Sequence, residues 1–142
     1  MLTLLIAIDG SQYSDRAVDY VLQRAAATRE GVRTHLLNVQ VPLAGVNVKL
    51  FISPESQQDY YRDEGMTVLA GPRQRLLEAG IDCEPHIGVG DPGPVIVEYA
   101  HSKHCDEVVM GTHGRGFLAG AVLGSVAQKV VHLASMPVVL VK

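Results

Sequence analysis

Apolar positions along this chain alternate between two rhythms, continuous short runs and helical stripes. Residues 2–8, "LTLLIAI", are a continuous apolar run of strand length. In 14–30, apolar residues at 17, 18, 21, 22 and 25 make one helical stripe, with Ser14 placed to cap it and Gly31 to stop it. "VRTHLLNVQV" (32–41) reads as a second strand, ended by Pro42. Residues 42–54 are weakly patterned and read as a loop, in which "GVNVKLFI" is a short strand or part of a lid. Residues 55–80 are mostly helical, and Gly65 and the Gly71–Pro72 pair predict a kink or two segments. A third strand at 81–87 contains Pro85, which assigns it to a sheet edge.

A proline-started helix (91–104), a fourth strand (105–111), a helix (123–135) with Val126, Val130 and Leu133 on one face, and a last strand (136–142) complete the chain. Alternating strands and helices call for a doubly wound parallel α/β sheet with helices on both faces. The apolar first, fourth and fifth strands suit burial on both sides.

The 142 residues fit one domain, 1–142, large enough for a substantial core. With 47% hydrophobic and 19% charged residues the chain reads as a soluble globule, and its net charge of −3 provides no broad basic surface for nucleic acid. Backbone amides still leave small anions as possible ligands. The opening apolar run is too short for a membrane span and lacks the basic start of a signal sequence, so it is expected to be a buried strand. Cys83 and Cys105, with no CxxC, suggest free thiols in a reducing compartment, and a cytoplasmic protein is the expectation.

Three glycine patterns compete for the carboxyl ends of the strands, where open parallel sheets bind ligands. "GVGDPG" (88–93) matches G-x-G-x-x-G, but it follows the third strand, and Pro92 and Pro94 remove two amides; a plain strand-to-helix turn explains it better. A Walker A loop is absent, since no lysine precedes Ser125 in "GAVLGS". The third pattern is G-x2-G-x9-G-[ST], formed by Gly111, Gly114, Gly124 and Ser125 within "GTHGRGFLAGAVLGSVA", which holds five of the chain's 14 glycines. Its first half ends a strand and its "GS" opens a helix, where free amides and the helix dipole favour an anion. Ser125 adds a hydroxyl donor and can cap that helix. The bland alternative is a flexible connection whose glycines satisfy turn geometry alone.

The whole chain resembles the universal stress protein family of the small, nucleotide-binding type. The anchors are "IAIDGS", "LLNVQVP", "VVMGTHGRG" and "LGSVAQKVVHLASMPVVLVK". The resemblance implies a five-stranded parallel sheet in order 3-2-1-4-5, with the first and fourth strands flanking the binding crevice. It implies an ATP site, open also to ADP or AMP, with Mg2+ or Mn2+ held by the phosphates. Asp9, after Ala7 and Ile8, would meet the ribose or a phosphate-bound metal, and backbone at Val39 would meet adenine. Met110 and Gly111 would line the ribose side. His113, Gly114, Gly124, Ser125 and Val126 would surround the phosphates, with Arg115 as an additional contact. Ala127 stands where some strong binders carry Ser or Thr, which predicts a missing phosphate donor and weak retention of triphosphate.

The implied role is a nucleotide-responsive stress regulator. The alternatives are a slow ATPase or phosphotransferase, for which Asp9 and His113 are the candidate groups, and a ligand-free dimeric scaffold. Family members dimerise through the last strand, so a homodimer through 137–142 is implied. Asp9 also has a bland alternative as a turn residue whose carboxylate bonds nearby amides. His101 and His104 read as a solvated helix end, His35 and His86 as structural, and Cys105 as a packed thiol.

Overall fold

The computed structural model describes residues 1–42, 53–114 and 122–142. Arg115, Gly116, Gly120 and nearly all of the 42–54 loop lie outside the described residues. The elements run β1 (Leu2–Ala7), α1 (Gln12–Ala27), β2 (Val32–Gln40), α2 (Pro54–Glu78), β3 (Asp82–Val89), α3 (Pro92–Ser102), β4 (Glu107–Gly111), α4 (Ser125–Leu133) and β5 (Val138–Val141). All strand pairings are parallel, and the sheet order is β3-β2-β1-β4-β5. The expected strand order is therefore observed, and Pro85 sits on an edge strand.

Side-chain alternation divides β1 between two cores. Leu4, Ile6 and Ile8 join Ala17, Val18 and Val21 of α1 and Leu69 and Leu76 of α2. Leu5 joins Leu37, Ile96 and Ala100 of α3, Val108 and Met110 of β4, and Ala127 and Val130 of α4. Both faces of β1 are thus buried, which is why its sequence is a continuous apolar run rather than an alternating one.

Local expectations in α1, α2 and α4 need correction. The α1 cap is Ser11, whose side chain accepts from the Ser14 amide, while Ser14 itself is buried inside the first turn. Of the two alternatives for 55–80, the two-segment one is ruled out: residues 54–78 are one helix that continues through Gly65 and Pro72. At Gly65 the space a Cβ would need is taken by the Ile87 side chain, so the residue lets α2 seat closely on β3. That packing outweighs the weak helix propensity of glycine. On α4, Val130 is buried as expected, but Leu133 is exposed.

Candidate functional site

The strand order reverses between β1 and β4, and the chain segments leaving those two strands meet there. After β1 the chain turns at Gly10, whose φ of 84° lies in the left-handed region that glycine tolerates. The Asp9 Oδ1 accepts from the Ser11 amide at 2.9 Å, so the carboxylate orders the turn into α1. A Cβ on Gly114 would collide with Asp9 Oδ2. Glycine is therefore what allows the loop after β4 to approach the carboxylate. Gly111 has a different neighbour: a Cβ there would stand 2.5 Å from Tyr13 Cβ and 2.9 Å from Tyr13 backbone carbon. Its missing side chain makes room for the first turn of α1.

Thr112 ties the end of β4 to the start of α4. Its amide donates to Val141 O at 2.9 Å, and its carbonyl accepts from the Gly124 amide at 2.7 Å. A Cβ on Gly124 would lie 3.2 Å from His113 Cα and 3.7 Å from the Gly114 amide. His113, Gly114 and Gly124 are thus side by side despite their separation in sequence. The His113 ring packs on Tyr13 at 5.3 Å between centroids, and its Nδ1 is 3.0 Å from the Thr112 hydroxyl. Tyr13 in turn lies beneath the Arg16 guanidinium, 5.5 Å from the ring centroid. Sequence reasoning missed Tyr13 and Thr112. Tyr13 was legible only as a residue shortly after the Asp9–Gly10 turn.

The N-cap of α4 is Gly124, with no side-chain cap, and Ser125 is its first helical residue and exposed. Ser125 therefore does not cap the helix as expected. The first-turn amides have no acceptor within the helix, and they carry the positive end of its dipole. Ala127 is 2% exposed and packs in the core beneath α4. A side chain facing an open crevice would be exposed to solvent, so the Ala127 methyl belongs to the core and a hydroxyl there would be buried.

Ala7, Val39, Met110 and Val126 pack on this same core, whereas Ile8 points into the opposite one. Buried Asn38 locks the strand ends together: its Nδ2 donates to Ile8 O at 2.8 Å, and its Oδ1 accepts from Gln40 Nε2 at 2.6 Å. All the named candidates except Arg115 are thus found around the ends of β1, β2 and β4 and the start of α4.

The other candidates separate from this site. A Cβ on Gly88 would meet Val95 Cγ1 at 2.7 Å, so Gly88 seats α3 against β3. Asp91 next to it is engaged by Lys129 Nζ at 3.1 Å. His101 and His104 are exposed at the end of α3, and His104 takes a positive φ of 53° just beyond the helix. Both cysteines are free and buried; burial raises the Cys83 thiol and pushes Cys105 up to about 11.

Compared with known proteins, residues 1–142 match the model of the universal stress protein family. The chain belongs to the universal stress protein family. A universal stress protein of Thermus aquaticus is 30% identical over 145 residues, covering 99% of this chain and 98% of its own. Among solved structures, that of the Methanocaldococcus jannaschii protein MJ0577 superposes with a TM-score of 0.86 at 26% identity, covering 99% of this chain and 95% of that one. A universal stress protein in complex with cAMP superposes with a TM-score of 0.69 at 28% identity, covering 99% and 96%. Among the described residues of this universal stress protein, no helix is long and apolar enough to cross a membrane.

Proposed function

We propose that this universal stress protein binds an adenine nucleotide in the crevice between β1 and β4. The observation that carries the proposal is the meeting of Asp9, Gly114 and Gly124 beside the uncapped start of α4. Phosphates would take the amides of Ser125, Val126 and Ala127, the Ser125 hydroxyl and the Gly114 backbone. Adenine would lie towards Val39, and the ribose between Asp9, Met110 and Gly111. Asp9 would offer its carboxylate to Mg2+ or Mn2+ carried on a triphosphate. The related protein in complex with cAMP supports an adenine ligand.

ATP is the expected ligand, with ADP and AMP competing, and occupancy would make the protein a nucleotide-responsive regulator in the stress response. Its two free thiols suit the reducing cytoplasm. A homodimer would form through β5, the open edge strand beside β4. Isothermal titration of nucleotide-stripped protein with ATP, ADP and AMP tests the binding. One saturable site per chain is the expected result; no heat with any of the three at high protein concentration would overturn it.

A further inference from the structure

On the far side of β1 from the crevice, the β2–β3 pairing sets His35 beside Glu84 and Leu37 beside His86. Residues two apart on a strand share a face, so Glu84 and His86 point the same way as their partner His35. The three side chains converge. His35 Nδ1 lies 2.9 Å from His86 Nε2 and 3.5 Å from Glu84 Oε2, and His86 Nε2 lies 3.9 Å from Glu84 Oε1. We propose that His35, Glu84 and His86 form a binding site for one divalent transition-metal ion of the Zn2+ type.

The geometry carries the proposal. Tetrahedral Zn2+ holds nitrogen and oxygen ligands at about 2.0–2.2 Å, which places ligand atoms roughly 3.3–3.5 Å from one another. The two ring nitrogens lie somewhat closer than that, each has a Glu84 oxygen within 3.9 Å, and one ligand atom from each of the three residues lies within 4.8 Å of the others, so modest side-chain movements suffice to close the shell. Two imidazoles and one carboxylate are also the donor set of open zinc sites, with water in the fourth position. Burial differs in a useful way. The two histidine side chains are 8% and 10% exposed, and Glu84 is 60% exposed. The rings are held by the fold, His86 in part by Tyr99 at 5.7 Å, while the carboxylate lies on the solvent side, where a water would complete the shell.

Without metal, the 2.9 Å contact requires one ring to donate its N–H to the other. Metal binding moves that proton to the donor ring's outer nitrogen, and no redox change is involved. Glu84 and Asp82 favour a cation here, and Lys103 and Arg33 oppose it. A protonated ring has no lone pair to offer, so binding weakens with falling pH. The sequence signal was a Glu-x-His on one strand beside a histidine on the next, which becomes a cluster only once the register is known.

Metal-stripped full-length protein titrated with Co2+ should develop the intense visible absorption of a tetrahedral site, saturating at one equivalent and lost on adding Zn2+. Glu84→Gln, at an exposed position, should weaken Zn2+ binding at least about tenfold, as even outer-shell changes can do. The double variant His35→Gln/His86→Gln should lose the Co2+ band, with circular dichroism checking its fold. Absence of the band together with absence of Zn2+ binding in the wild type would overturn the proposal. So would Zn2+ binding unchanged in Glu84→Gln, which would move the ion to other residues such as His101 and His104.

Discussion

Ser125 and Ala127 stand two residues apart on α4, one exposed and one buried, and this contrast assigns them different work. Ser125→Ala should leave the melting temperature nearly unchanged and weaken adenine-nucleotide binding by about tenfold. A hydrogen bond to a charged group contributes about 1.5–3 kcal/mol. Calorimetric titration of the variant against wild type reads that difference. Ala127→Ser should do the reverse, destabilising the fold by about 1–3 kcal/mol because its hydroxyl enters the core. It should bring no gain in nucleotide affinity, which denaturant unfolding and the same titration would establish. The glycines also differ individually. Gly114 permits the approach to Asp9, and Gly111 accommodates Tyr13, distinctions that spacing alone could not make. The thiols follow from burial: Cys105, pushed up to about 11, should react with an aromatic disulfide reagent slowly in native protein and at once in denaturant.

At the scale of elements, the close contacts between helices and sheet are the least forgiving. Gly88→Ala would drive a methyl into Val95 and Tyr99, and overpacking of this kind costs about 1–3 kcal/mol. The unfolding midpoint should fall accordingly, with nucleotide affinity little changed. The β2–β3 pair adds a pH dependence. Burial lowers His35 and His86 below their usual 6.5, so in acid the unfolded chain binds more protons than the native one. Stability should therefore decline as pH drops below about 6.5, and His35→Gln should flatten that decline in chemical denaturation. Apolar runs and helical stripes made most of the strands and helices legible in the sequence, while the continuity of α2 was not. What stayed hidden depended on tertiary neighbours. Gly65 reads locally as a break, but Ile87 fills its space; Ser14 reads as the cap, but packing buries it and Ser11 caps α1 instead.

Across the whole molecule, α1 is pinned to β4 by the paired Arg24 and Glu107, the two strands of the crevice are joined through β1–β4 pairing, and the end of β4 is joined to β5 through Thr112. The candidate site is thus a meeting of strand ends and a helix start on a sheet whose central strand is buried on both faces. The position of that crevice became readable from the family resemblance rather than from periodicity, because alternation of elements leaves strand order open. Asp9, Gly114 and Gly124 were legible as candidates; Tyr13 and Thr112 were not, since only the fold brings them there. The central claim is that an adenine nucleotide sits on the start of α4 beside Asp9. Amide-resolved NMR during a titration of nucleotide-stripped protein with ATP tests it most directly. The account predicts the largest shifts at Asp9, Val39, Gly114 and Gly124–Ala127. No shifts at saturating ATP, or shifts confined to residues away from the ends of β1 and β4, would contradict it.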